Sequence, residues 1–171
     1  MKTVSIRRFA GFLSAALVAI LAAAPGISST QKGKAREIHM CSLLTPSDVA
    51  PIVGAGQISQ ETKGGSSCIW GDPGTDPNKK RLLIQAPAFS ATSEMSFKAN
   101  RKEAFDDKGS QAKNEPELGK NAFSALMDDG AGIIILKKEA LLNIHLMTGK
   151  RGTPENVDAI RKVAVKVAES F

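Results

Sequence analysis

Two cysteines, Cys41 and Cys68, are the only ones in this chain of 171 residues, and whether they are bonded decides what the fold must accommodate. The N-terminus supplies the context. Lys2, Arg7 and Arg8 precede residues 9–24, a stretch without charge whose only polar side chain is Ser14. A basic n-region followed by an apolar run of this length, closing on small residues, is the pattern of an export signal. The run is shorter than the twenty or so residues that span a bilayer comfortably, and Pro25-Gly26 stops the helix where a span would continue. Residues 1–26 are therefore expected to be removed as a signal peptide. The cut falls after Ala24, or after Gly26 if the Pro25 ring hinders the first site. Arg7-Arg8-Phe9 is also similar to a twin-arginine signal, although Ile6 stands where such signals favour Ser or Thr. No Cys closes the apolar run, so a lipid anchor is not expected, and the destination is periplasmic or secreted.

In that oxidising setting an even cysteine count reads as a disulfide, Cys41 to Cys68. Closing a loop of this length contributes roughly 3 to 4 kcal/mol in the chain-entropy description. A redox pair would want Cys-x-x-Cys, and a zinc site needs more ligands than two Cys and the distant His39 and His145 supply. The bridge is thus read as a staple.

Removing the signal leaves about 145 residues, the size of one domain with a real core. The net charge of +6 is partly the signal's own, and the remaining Lys and Arg are spread over many segments, the pattern of a mixed solvated surface. Basic residues are not interleaved with aromatics, which are seven Phe, one Trp and no Tyr, so nucleic acid is not an expected partner.

Residues 27–40 are polar and read as a flexible leader containing a solvated His39. The single domain then spans 41–171. Thr45-Pro46-Ser47-Asp48 is a helix start, with Thr45 as cap, Pro46 at the first position and Asp48 three beyond the cap; Leu43, Leu44, Val49, Ile52 and Val53 form its apolar side, and Gly54 stops it. Residues 57–60 form a weak strand and 67–71 a firmer one, whose alternation places Cys68 and Trp70 on one face. The segment 72–78 is turn chemistry, and 81–88 alternates with Leu82, Ile84 and Ala86 on one side. Ser93 caps a second helix to about Asp107 with Phe97, Arg101, Ala104 and Phe105 inward. A polar loop, 108–120, leads to strands at 122–126, 133–136 and 141–147, joined by Asp128-Asp129-Gly130 and a turn at 137–140. Thr153 and Pro154 open a last helix with Val157, Ile160, Ala164, Val167, Ala168 and Phe171 on one face. The order αβββ-αβββ-α predicts an α+β domain, an antiparallel sheet of about five to six strands with helices packed on it.

The opening Cys41-Ser42-Leu43-Leu44-Thr45, the strand Ser67-Cys68-Ile69-Trp70, and Leu118-Gly119-Lys120-Asn121-Ala122-Phe123 before a hairpin and a Pro-started final helix form a recognisable set. The set resembles an uncharacterised family of small exported bacterial proteins, many of them actinobacterial lipoproteins, with a Cys-x-Leu-Leu-Thr and Ser-Cys-x-Trp signature. The resemblance covers most of the chain after Met40. It implies a paired cysteine and a PsbP-like sandwich, and with it binding or assembly work more than catalysis. This chain departs from the family in lacking the lipobox Cys.

No Gly-x-Ser-x-Gly, His-Glu-x-x-His, phosphate loop or dinucleotide fingerprint is present. The residue singled out is His145, on the strand face opposite Leu142, Ile144 and Leu146, where a covering layer and a neighbouring group would tune it as a base. Asp128 and Asp129 read as hairpin chemistry, and Asp72 with Asp76 lack the spaced donors of a calcium loop. The leading expectation is an extracytoplasmic binding or accessory domain, without cofactor, meeting a small ligand, a cell-envelope component or a protein partner through a sheet face or the loops 71–80 and 108–120. The alternatives are a small secreted hydrolase or isomerase using His145, and a secreted inhibitor or effector. A deep pocket holding His145 beside a carboxylate would favour the enzyme, and a filled sheet face the binding domain.

Overall fold

The computed structural model describes residues 38–55, 59–62, 65–72, 76, 79–86 and 92–171. The expected export signal and cleavage site, and residues 27–37 of the expected leader, lie outside the described residues. Among the described residues no helix is long and apolar enough to cross a membrane.

The chain runs through α1 (Pro46–Val53), β1 (Ser59–Glu61), β2 (Ser67–Gly71), β3 (Arg81–Gln85), α2 (Ser93–Asp106), β4 (Lys113–Asn114), β5 (Ala122–Met127), β6 (Gly130–Lys137), β7 (Ala140–Met147) and α3 (Pro154–Glu169), with three short 3-10 turns between. This is an α+β fold with one seven-stranded antiparallel sheet, ordered β1-β2-β3-β7-β6-β5-β4. Two meanders, β1 to β3 and β4 to β7, join where β3 pairs with β7. The sheet is one strand larger than the upper expectation. The added strand is β4, a two-residue pairing of Lys113 with Ser124 and Asn114 with Phe123 inside the stretch read as polar loop, too short to show an alternation of its own.

α1 and α3 pack on one face. There the cross-strand rows read Leu126, Ala131, Leu146, Leu82, Trp70 and, beside it, Ser124, Ile133, Ile144, Ile84, Cys68. Val49 and Ile52 from α1 and Ile160, Ala164 and Val167 from α3 close over these rows. Val163, between two members of the expected stripe, is buried as well. At the start of α1, Asp48 Oδ2 accepts from Thr45 N–H at 2.6 Å and Gly54 ends the helix at φ 96°. In α3 the corresponding acceptor is Asn156 Oδ1, 3.0 Å from Thr153 N.

Cys41 and Cys68 are bonded, with Cα atoms 5.0 Å apart, so the approach to α1 is stapled to β2. Residues 38–40, the described part of the expected 27–40 leader, belong to the fold: Met40 is buried in the core because its backbone N–H pairs with Gly65 O at 3.0 Å and draws the segment onto the sheet. His39 Nδ1 lies 3.1 Å from Glu61 Oε2, and Cys41 N–H donates to Oε1 of the same carboxylate at 3.2 Å. These two contacts, the Cys41 amide first, hold the Glu61 carboxyl below its usual range.

α2 lies on the other face. Its N-cap position belongs to Thr92, and Ser93 is the first helical residue, buried. Phe97 points inward as expected and meets Phe123 edge-on at 5.6 Å. Phe105 also meets Phe123 edge-on, at 6.1 Å, but it sits two turns further on at the rim of this layer, 40% exposed, with the Arg101 guanidinium 4.5 Å over its ring.

Candidate functional site

The face beneath α2 is built from residues one register away from the core rows. One row runs Phe123, Ile134, Asn143, Gln85 and the next Ala125, Gly132, His145, Leu83. The first row supplies Phe123 and Ile134, which with Leu141 and Leu136 seat Phe97 and Ala104 of α2. In the second row the two positions under the helix are Ala125 and Gly132, and nothing there reaches up to it. The result is a cavity of about 610 Å3 between sheet and helix, within the range of small-molecule sites.

Gly132 is the pairing partner of His145, so the imidazole faces no side chain across β6. A Cβ added at Gly132 would come within 2.5 Å of the Met127 methyl, which therefore occupies part of that space. His145 is 20% exposed; its Nε2 lies 3.3 Å from Asp129 Oδ1 but outside hydrogen-bond geometry, so this buried nitrogen makes no hydrogen bond. Asn143 Oδ1 is likewise buried without a hydrogen bond. Two adjacent polar side chains on one strand thus enter the cavity wall with unused hydrogen-bonding capacity, an arrangement that costs about 1 to 3 kcal/mol per group unless something binds there.

The mouth is polar. Glu103 and Asp107 of α2 and its continuation line it from above. Arg151 closes one side, held by Asp128 Oδ1 at 2.6 Å and by a bond to the carbonyl of Gly109. The hydroxyl of Ser110 is engaged by the carbonyl oxygens of Ala104 and Asp107, which finishes α2 and leaves Ser110 no role as a nucleophile.

The structure thus covers the His145 face, as the sequence reading required, and sets a carboxylate beside the ring. It divides the Asp128-Asp129 pair: Asp128 goes to Arg151 and Asp129 to His145. Asp72 pairs with Lys79, apart from this site. Among the described residues no three His, Cys, Asp or Glu side chains gather closely enough to hold a metal ion. The residues the sequence reading did not single out are Asn143, Gly132, Ala125, Glu103 and Asp107. Two of them carried a signal: an Asn two places from His145 puts a second polar group on the same strand face, and an isolated Gly inside a strand marks space or a close approach.

A second polar cluster closes on itself. Glu115, buried, accepts from Ser124 Oγ at 2.7 Å and from Arg161 Nε at 3.0 Å, and Arg161 also bonds Asp158. These carboxylates raise the Arg161 guanidinium above its usual range, Glu115 contributing most. The cluster ties the segment after β4 to α3 and has no unused group. Comparison with protein-family models, with curated proteins and with solved structures finds no match to this chain.

Proposed function

We propose that this chain is an extracytoplasmic binding domain that holds a small molecule in the cavity between α2 and the sheet. The observation that carries the reading is the pair of buried, unbonded polar atoms, Asn143 Oδ1 and His145 Nε2, in the wall of a cavity of ligand size. The other two buried side-chain atoms without a hydrogen bond among the described residues, Trp70 Nε1 and Arg81 Nε, lie outside the lining of this cavity. The disulfide between Cys41 and Cys68 suits an oxidising compartment, and the export signal read from residues 1–26 names the route. The PsbP-like sandwich that the resemblance implies would carry binding or assembly work more than catalysis.

A second reading has its own observation. His145 stands 3.3 Å from Asp129 in a cavity, the constellation that would favour a small hydrolase or isomerase with His145 as base. Binding is preferred because the one serine hydroxyl at the cavity is spent on backbone carbonyls. The test is a thermal-shift and calorimetric screen of small molecules on the exported, disulfide-bonded protein, repeated on Gly132→Val, whose side chain enters the cavity. Binders that raise the melting temperature of the parent and leave the variant unmoved support the site. Binders indifferent to Gly132→Val, or no binder in a broad screen, overturn it. Turnover of a bound compound that stops in His145→Ala establishes the enzyme instead.

A further inference from the structure

The two long helices both carry a glutamate in the first turn, Glu94 and Glu155, and differ at their C-terminal ends. α3 has Lys166 in its last turn, and Lys137 at the end of β6 and Lys138 after it donate to the carbonyl oxygens of Ala168, in that turn, and Phe171, just beyond it. That matches the helix dipole, which favours anions at the N-terminus and cations at the C-terminus. α2 has no basic residue in its last turn, which instead carries Glu103 and Asp106, with Asp107 immediately after. Lys102 answers Asp106. Glu103 in the last turn and Asp107 at the C-cap stand four residues apart, like charges that both line the cavity, the Asp107 carboxylate also accepting from Gly109 N–H of the turn that follows. The negative end of the dipole adds to their field at that point.

We propose that the cavity takes a small organic cation: a protonated amine on an apolar body, its charge at the mouth between Glu103 and Asp107 and its body over Leu83, Ala125 and Ile134. This rests on the binding reading above and adds the chemical class. Three features converge on it. Glu103 and Asp107 both line the cavity at the C-terminal end of α2, where the helix dipole is negative as well. The floor is apolar at Leu83, Ala125 and Ile134 and interrupted by the unbonded acceptor Asn143 Oδ1, which a donor group on the ligand satisfies. The guanidinium of Arg151, the cation of the cavity wall, is already occupied by Asp128 and the Gly109 carbonyl, so it leaves the mouth acidic.

The experiment compares three probes of one shape on the exported, disulfide-bonded protein by calorimetry at low salt: phenethylamine, 2-phenylethanol and 3-phenylpropionate. The ammonium is expected to bind at least about tenfold more tightly than the carboxylate, with the preference shrinking as salt is added. In Glu103→Gln/Asp107→Asn the preference falls below roughly threefold while 2-phenylethanol binds as before, since only the charges are removed. The Asn retains the oxygen that accepts from Gly109 N–H, and the variant melts no lower than the parent because a repulsion has been relieved. Equal or tighter binding of the carboxylate overturns the proposal, as does a preference that survives in the double variant. If these results come with binding that Gly132→Val still abolishes, the cation is wrong and the cavity stands. Binding of none of the three overturns the cation reading too, and the broad screen then decides the cavity separately.

Discussion

β7 carries Leu142, Ile144 and Leu146 to one face of the sheet and Leu141, Asn143, His145 and Met147 to the other, and the two faces are finished differently. On the first, α3 arrives with a continuous apolar stripe, and six of its sixteen residues are buried. On the second, α2 buries only Ser93 and Phe97 of fourteen; Ala104 and Phe105 near its end touch the same aromatic cluster around Phe123, and the positions beside that line of contact are left open. Over small and polar residues the space left beneath α2 is about 610 Å3, whereas the space beside α3 is about 60 Å3. The difference teaches where this molecule spends its stability and where it forgoes some.

The largest effect that tests this contrast is a truncation on the filled face. Ile144 is 1% exposed between Ile133 and Ile84, so Ile144→Ala is expected to destabilise by about 2 to 5 kcal/mol, the transfer and cavity terms of a core deletion. The matched change on the other face is Leu83→Ala, which enlarges an existing space and is expected to cost under about 1.5 kcal/mol. Urea denaturation of both variants gives the two numbers. Equal losses would mean that the α2 face is as closely packed as the α3 face, and the contrast would be gone.

A smaller effect of opposite sign sharpens the comparison. Asn143 Oδ1 is buried and unbonded, so Asn143→Leu replaces an unsatisfied acceptor with a side chain of similar size and is expected to stabilise by about 1 kcal/mol. The same change is expected to remove ligand binding. Stability gained together with function lost is the signature of a site kept against the interest of the fold. A destabilised Asn143→Leu would show that the amide is satisfied in solution and is structural.

How much of this was legible follows the same division. The filled face was read nearly whole, because burial on one side imposes a period on each element: Cys68 with Trp70, Leu82 with Ile84, and the stripe of α3 could be placed from spacing alone. Caps and turns were legible for a related reason, since Thr45, Gly54, Thr153 and Pro154 act within a few residues of themselves. The α2 face was not. Phe97, Arg101, Ala104 and Phe105 satisfy a helical stripe, yet how far that stripe is covered depends on Ala125 and Gly132, which come to lie beneath it only when β5 and β6 pair. His145 was visible as a polar residue on an apolar strand; the cavity above it is made by absences in two other strands. β4 was missed because two residues show no alternation, and Met40 because its burial is imposed by Gly65 and the nearby bridge.

The smallest effect concerns the filled face again, at the contact between its two helices. Asp48 Oδ2 accepts from Thr45 N–H at the start of α1 and from Lys166 Nζ of α3 at 2.6 Å, and these bonds, the Lys166 contact foremost, lower its carboxyl from 3.8 to about 2. A carboxyl depressed by folding binds its proton more weakly in the native state than in the unfolded one. Its contribution is therefore complete above the unfolded value near 4 and is lost as pH falls through the native value near 2. Asp48→Asn removes that acid-side dependence, and because the pair is partly solvated the cost at neutral pH is expected to be about 0.3 to 1 kcal/mol. Melting curves of parent and variant should differ at pH 6 and converge toward pH 2. A difference that stays constant down to pH 2 would mean that the charge contributes nothing and that α1 is held to α3 by Val49, Ile52 and the apolar stripe alone.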